Sequence, residues 1–246
     1  MRILILGATS ALAHETAKYF ARDGAELVLV ARSPAKLLAV KNDLEVRGAK
    51  QVETLLVDLS DLTRHQALLD TTFQSAAGLD MVLIAYGTLG DQQLCAQSVD
   101  ATLEQFTTNC TSTIALLTLL ANHFEQQRRG CIAVISSVAG DRGRQSNYIY
   151  GAAKGAVTIF LSGLRNRLAK ANVAVITIKP GFVDTPMTAH MRKGLLFADA
   201  QTVGRGIYQA MLKRREVVYL PGYWRVIMWL IRSIPEAMFK KMNIGA

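Results

Sequence analysis

Seven short apolar runs, each separated from the next by a longer stretch of helical character, constrain this chain more than any other feature. The runs are "RILIL" (2–6), "AELVLVAR" (25–32), "QVETLLVD" (51–58), "DMVLIAYG" (80–87), "CIAVISS" (131–137), "NVAVITIKPG" (172–181) and "EVVYLPG" (216–222). Near-continuous apolarity over so few residues is the pattern of a strand buried on both faces, which occurs in parallel sheets. Helical patterns fill the gaps, over 11–23, from Ser33-Pro34 onward, over 61–76, 99–127 and 148–170, and to about 214. Ser10 and Ser33 stand where N-caps belong, and Pro34 fits a first helical position. Right-handed crossovers then lay helices on both faces of one sheet. The expected fold is α/β, a single-domain doubly wound parallel sheet of about seven strands. Residues 1–222 would form its body and 223–246 a helical tail.

Composition agrees. The chain has 246 residues, half of them apolar and 19% charged, which excludes a disordered chain. Cys95, Cys110 and Cys131 are odd in number and lack CxxC spacing, so they read as reduced thiols in a cytoplasmic protein, with no disulfide framework and no metal site. The apolar start runs straight into a glycine turn, and no export leader is expected. No run of 18 apolar residues is present to span a bilayer. The net charge is +9, and 190–246 alone holds ten Lys or Arg against three Asp or Glu. A basic excess confined to an apolar C-terminal quarter argues against nucleic acid. It leaves open a solvated surface, a membrane surface or an anionic substrate.

In a doubly wound sheet, ligands bind beyond the carboxyl ends of the strands. Here those ends are Gly7–Ala13, Ala31–Arg32, Asp58, Ala85–Gly87, Ser136–Ser137 and Pro180–Thr185. The turn from Gly7 into a helix presents backbone N–H groups to a pyrophosphate, the behaviour of a Rossmann-type fold. Arg32 follows the second strand, where an NAD protein would place a carboxylate on the ribose. A basic residue there, with Ser33 and Lys36 nearby, favours the 2′-phosphate of NADP(H) over NAD(H). Asp58 is placed to accept from an adenine amino group.

Tyr150 and Lys154 lie four apart in "YGAAK", on one face of a helix. A neighbouring ammonium favours the phenolate and would draw the tyrosine toward a working acid–base range. Gly151 and the alanines between them would leave room for a ligand. Ser137, at the end of the fifth strand, is a candidate donor to a carbonyl oxygen.

Taken together, "GATSALA" (7–13), Asp58, "AYG" (85–87), Asn109, "ISSVAG" (135–140), "YGAAK" (150–154) and "PGFVDTPM" (180–187) resemble the short-chain dehydrogenase/reductase family over nearly the whole chain. The resemblance implies that Tyr150 is the general acid in reduction and the base in oxidation. Lys154 would hold the nicotinamide ribose, Ser137 the substrate oxygen, and Asn109 a water relay to Lys154. Cofactor contacts would come from Gly7, Thr9, Ser10 and Leu12, from Arg32, Lys36, Asp58 and Leu59, and from Ala85, Tyr86 and Gly87. Tyr150, Lys154, Pro180, Gly181, Val183 and Thr185 would complete them at the nicotinamide end. Two departures stand out. Ala11 and Ala13 replace glycines of the family turn, adding methyls there. Tyr86 replaces a small residue and would put an aromatic ring near the cofactor. The family also implies a homodimer or homotetramer built through the helices at 99–127 and 148–170.

Met187–Phe197 is a candidate lid, apolar enough to suggest an apolar or lipid-linked carbonyl substrate. In the tail, Arg225 and Arg232 share a helix face among apolar residues, and Pro235 should end that helix near Ile234. A second short helix with Lys240 and Lys241 would follow. Residues 223–241 therefore fit either a helix packed over the cleft or a subunit interface, or peripheral contact with the inner face of a membrane. The leading expectation is an NADP(H)-dependent reductase of carbonyls or secondary alcohols. The alternatives are an NADP(H)-binding regulator without turnover and a membrane-associated interaction protein.

Overall fold

The computed structural model describes residues 1–74 and 78–242. Its chain order is β1 (Arg2–Leu6), α1 (Ala11–Arg22), β2 (Glu26–Ala31), α2 (Pro34–Val46), β3 (Gln51–Leu56), α3 (His65–Phe73), β4 (Met81–Ile84), α4 (Gln92–Gln97), α5 (Val99–Phe106), α6 (Ser112–Gln127), β5 (Gly130–Ile135), α7 (Tyr148–Leu168), β6 (Val173–Pro180), β7 (Val183–Asp184), β8 (Ala198–Asp199), α8 (Ala200–Leu212), β9 (Val217–Leu220), α9 (Trp224–Ser233) and α10 (Glu236–Phe239). Seven strands form one sheet in the order β3-β2-β1-β4-β5-β6-β9, and every pairing is parallel. The expected doubly wound α/β sheet is therefore the observed one.

Strand alternation divides the core. Ile3 and Ile5 of β1 and Leu27 and Leu29 of β2 face α1, α2 and α8. Leu4, Leu6, Val28 and Val30 face α3, α6 and α7. The two-residue period sends successive side chains to opposite faces, and both faces are covered, so the runs had to be apolar throughout.

The helical expectations need refinement. The stretch 61–76 opens with a 3-10 turn at Leu62–Arg64, capped by the Asp61 carboxylate on the Thr63 N–H at 3.1 Å. It continues as α3, and residues 75 and 76 lie outside the described residues. The stretch 99–127 is helical throughout, but a π turn at Thr107–Thr111 interrupts it. There the Ser112 N–H reaches back to the Thr107 carbonyl. Such turns recur at functional sites because they re-aim side chains within an otherwise regular helix. Ser33 does occupy an N-cap position, but its hydroxyl caps nothing. Helix α4 and the β7–β8 pair were not foreseen.

The tail ends as expected: α9 stops at Ser233, with Pro235 beyond it, and Lys240 and Lys241 follow α10. Trp224 and Met228 are buried with Val138, against Phe182 and Tyr219. Arg142 closes the end of α9, donating to the carbonyls of Ile231 (2.7 Å) and Ile234 (2.6 Å) and pairing with Glu236 at 2.9 Å. A cation at a helix C-terminus satisfies carbonyls that have no partner within the helix. Beneath the tail, Lys179 and Asp141 form a buried ion pair at 2.5 Å, and the Tyr219 hydroxyl donates to the other Asp141 oxygen at 2.7 Å. Among the described residues no helix is long and apolar enough to cross a membrane.

Candidate active site

A cleft of about 380 Å³ runs along the carboxyl ends of β1 to β6. Its lining includes Gly7, Thr9, Ser10 and Leu12, then Arg32, Lys36, Asp58 and Leu59, and Ala85, Tyr86 and Gly87. Ser137, Tyr150, Lys154, Pro180, Gly181, Val183 and Thr185 continue it. Asn109 alone of the expected set does not line the cleft; it is fully buried beside it.

At one end, Ser10 caps α1 by accepting from the Ala13 N–H at 3.4 Å. Gly7 has φ +87°, and a Cβ there would lie 2.7 Å from the Tyr86 backbone nitrogen, so both its conformation and the space exclude a side chain. The two alanines of the turn differ in consequence. The Ala13 methyl is buried in the core, whereas Ala11 lines the cleft. Arg32 has a side chain 73% exposed, and its guanidinium is 4.0 Å from Asp58. Asp58 accepts from the Ser60 N–H (3.0 Å) and hydroxyl (2.5 Å), which, with a smaller contribution from Arg32, hold its carboxyl below the usual range. This end is cationic and open.

Tyr86 lines the cleft where it is expected, but its hydroxyl is tied into the core. Its ring packs against the core on the α6 side, and its hydroxyl pairs with Ser112 at 2.5 Å. Ser112 in turn donates to the Leu59 carbonyl at 2.5 Å. Burial pushes Tyr86 up to about 12, so it stays a neutral strut between β4, α6 and the loop at Leu59.

At the other end, Tyr150 and Lys154 project from α7. Lys154 donates to the Ile135 carbonyl at 3.0 Å, and its nitrogen is 5.8 Å from the Tyr150 ring centre. Burial lowers Lys154 to about 8 and raises Tyr150 to about 12, while the Ser137 hydroxyl pulls Tyr150 back down. The expected depression of Tyr150 by Lys154 does not appear: desolvation opposes both charges, and the ammonium is turned toward a carbonyl. Tyr150 is a neutral phenol here, poised to give a proton.

The small residues of "YGAAK" also serve another purpose than the one expected. A Cβ at Gly151 would lie 2.9 Å from the Ala139 carbonyl oxygen, and Ala153 is buried in the core. They let α7 press against the 3-10 turn Val138–Asp141, whose N-cap is Ser137. That contact brings Ser137 to Tyr150.

Asn109 sits in the π turn. Its amide donates to the Thr88 carbonyl (2.9 Å) and the Gln105 carbonyl (3.0 Å), and its oxygen accepts from the Thr88 N–H at 3.0 Å. The side chain is therefore committed to fixing the loop after β4, and any relay role would fall to its backbone. Gly87 separates it from Lys154: a Cβ there would lie 2.6 Å from the Asn109 oxygen and 3.4 Å from the Lys154 nitrogen.

Sequence reasoning missed Ser60, Thr88, Thr108 and Ile135, all in the cleft lining. It also missed Trp224, whose ring packs so tightly on Gly181 that a Cβ there would lie 1.9 Å from it. Only Gly181, inside "PG", carried a signal. In the Met187–Phe197 segment, Met187 lines the cleft, and β7–β8 with the Phe182–Phe197 stack (5.3 Å) close the segment at its base. Among the described residues no group of three His, Cys, Asp or Glu is placed to hold a metal.

A family model described as short chain dehydrogenase matches residues 1–195. The chain is 32% identical over 243 residues to an uncharacterized oxidoreductase of Streptomyces coelicolor, covering 98% of this chain and 96% of the relative. It is 31% identical over 240 residues to an uncharacterized oxidoreductase of Mycobacterium tuberculosis, with the same coverage of 98% and 96%. In fold it is similar to a short-chain dehydrogenase from Sphingobium yanoikuyae in complex with NADPH (TM-score 0.81, 24% identity, 96% of this chain and 97% of that one). It is also similar to levodione reductase (TM-score 0.82, 22% identity, 92% and 97%).

Proposed function

Because the chain belongs to the short chain dehydrogenase family and is an oxidoreductase of it, we propose that it reduces a carbonyl, or oxidises the matching secondary alcohol, with NADP(H). One observation carries this reading: Tyr150, Lys154 and Ser137 converge at one end of a single cleft whose other end holds Arg32 and Lys36. The cleft fits a dinucleotide, with the capped N-terminus of α1 between the two ends. The exposed Arg32 is placed for a 2′-phosphate, and the Sphingobium neighbour is a complex with NADPH.

When bound, the cofactor would supply or accept the hydride. The chain's own residues do the rest. Tyr150, neutral through burial, holds the proton that a carbonyl oxygen takes up on reduction. Ser137 offers that oxygen a second hydrogen bond. Lys154 would hold the ribose hydroxyls and keep a positive charge beside the phenol, which favours its ionised form once the proton has left. Asn109 fixes the Thr88 loop so that Lys154 keeps its place.

The cofactor assignment is tested by titrating NADPH fluorescence against the wild type and Arg32→Asp. The expected result is an affinity loss of about 10–100-fold, since a charge-assisted contact becomes a repulsion. Equal affinities would remove NADP(H) as the preferred cofactor.

A second reading concerns the tail as a membrane contact. Val226, Trp229 and Leu230 of α9 are exposed, Trp229 by 67%, and the exposed Arg225 on one side and Arg232, Lys240 and Lys241 on the other flank them in sequence. An apolar helix face with a cationic rim suits an anionic bilayer surface. Deleting the tail would uncover the Trp224 seat, so point variants are the better probe. Trp229→Ser with Leu230→Ser should abolish co-sedimentation with phosphatidylglycerol vesicles; unchanged sedimentation would sink this reading. The exposed Val99, Leu103 and Ile159 on α5 and α7 support assembly of copies of the chain through those helices.

A further inference from the structure

Two walls of the cleft meet on one side chain. Val57, Asp58, Leu59 and Ser60, between β3 and α3, line the cleft beside Arg32, and Gly7 and Thr9 line it at the turn into α1. Tyr86 touches both walls. The Gly7 turn lies on its backbone: a Cβ at Gly7 would stand 2.7 Å from the nitrogen and from the Cβ of Tyr86. Its hydroxyl reaches the other wall through a chain of hydrogen bonds. Tyr86 pairs with Ser112 at 2.5 Å, and Ser112 donates to the Leu59 carbonyl at 2.5 Å. The Nε2 of His65, the first residue of α3, meets the same carbonyl at 2.9 Å.

The direction of this chain follows from its last member. A carbonyl oxygen only accepts, so Ser112 spends its one proton on Leu59 and must accept from Tyr86. Tyr86 in turn accepts from the Thr113 hydroxyl, 3.4 Å away. For the same reason the His65 proton toward Leu59 sits on Nε2. Ser112 is fully buried and His65 nearly so. Hydroxyls in series polarise one another, and in a dry setting each missing link leaves a buried polar group unpaired. Ser112 directly follows the π turn at Thr107–Thr111, which sets its aim.

The wall held in this way is the one beside Arg32. Its backbone forms a compact unit: the Val57 N–H donates to the Ala31 carbonyl at 3.2 Å, and the Asp61 N–H closes a turn on the Asp58 carbonyl at 3.1 Å. The Leu59 carbonyl ties that unit to α3 and α6. We propose that Tyr86 and Ser112 are positioning residues for the cofactor: through Leu59 they hold the Asp58 turn in register with the Gly7 turn, and so set the affinity for the adenosine 2′-phosphate half of NADP(H). This assignment rests on the NADP(H) reading above. A wall fixed before the ligand arrives spares binding the cost of ordering it.

Ser112→Ala removes the central link from a position outside the cleft lining. In titration calorimetry it should weaken NADPH and adenosine 2′,5′-bisphosphate, which lacks the nicotinamide, by the same factor of about 3–30-fold. The KM for NADPH should rise by that factor while kcat at saturating NADPH stays within about twofold, because Tyr150, Lys154 and Ser137 are untouched. Tyr86→Phe keeps the ring and its packing and should give the same loss of affinity, so it decides the matter where Ser112→Ala does not fold. The double variant should lose little more than either single one, because both cut one chain. Unchanged affinity for adenosine 2′,5′-bisphosphate in the single variants would overturn the proposal, whatever the melting temperature does. A loss confined to kcat, or losses that add fully in the double variant, would overturn it too. If the wild type takes NADH and AMP instead, the NADP(H) reading fails, and the same comparisons on those ligands decide the role of Tyr86 and Ser112. Binding of no dinucleotide by the wild type would sink both.

Discussion

Tyr150→Phe should lower kcat by about 10²–10⁴-fold while NADPH binds with near wild-type affinity. The substitution removes only the hydroxyl, the ring stays packed, and Lys154 keeps its bond to the Ile135 carbonyl. Single-turnover NADPH oxidation with a reducible ketone, beside a fluorescence titration, separates the two effects. Retained turnover would refute the role of Tyr150. The pH dependence has a definite sign. Burial raises Tyr150 to about 12, so the phenol is protonated throughout the neutral range and reduction does not lack its acid. Lys154 is lowered to about 8, so its charge is lost as pH rises through that value. The rate of reduction should therefore fall above about pH 8, when a neutral amine no longer favours the phenolate that remains. A profile that rises through pH 8 would contradict this assignment.

The largest effect on stability is expected from Lys179→Met. It leaves the Asp141 carboxylate buried with, among the described residues, only the Tyr219 hydroxyl as a side-chain partner. Breaking one half of a buried pair costs about 3–5 kcal/mol. For a domain of this size that is a fall in melting temperature of roughly 6–20 °C. The double variant Lys179→Met/Asp141→Leu should recover much of the loss, because the cost lies in the stranded charge. Calorimetry of the two proteins checks this; a double variant less stable than the single one would refute it. The site would feel the change as well. Asp141 closes the turn that begins at Ser137, and Lys179 precedes Pro180 and Gly181 in the cleft wall.

Most of the fold was legible because it is written in short-range patterns. An apolar strand buried on both faces and an amphipathic helix differ in period, and seven alternations leave little choice of topology. The cleft lining was legible for the same reason, since it follows from which residues end each strand. The side-chain roles were harder to read. Nothing near Asn109 in sequence shows that it clamps Thr88, 21 residues earlier. Tyr86 lines the cleft, but that its hydroxyl is held on the core side by Ser112, 26 residues on, could not be read from the chain order.

By itself the sequence determined the sheet, the order of the crossovers and the residues that line the cleft, because strand and helix periods and end positions are local properties. It also pointed to Tyr150 and Lys154 as a pair. Only the tertiary structure decided their electrostatics, because desolvation depends on everything packed around a group: burial left Tyr150 a neutral acid and turned Lys154 toward Ile135. It also decided that Gly151 makes room for the Ser137 turn, that Trp224 of the tail seats on Gly181, and that the Arg144 Nε is buried with no hydrogen-bond partner among the described residues. Each of these is a contact, or the lack of one, between segments that the chain order keeps apart.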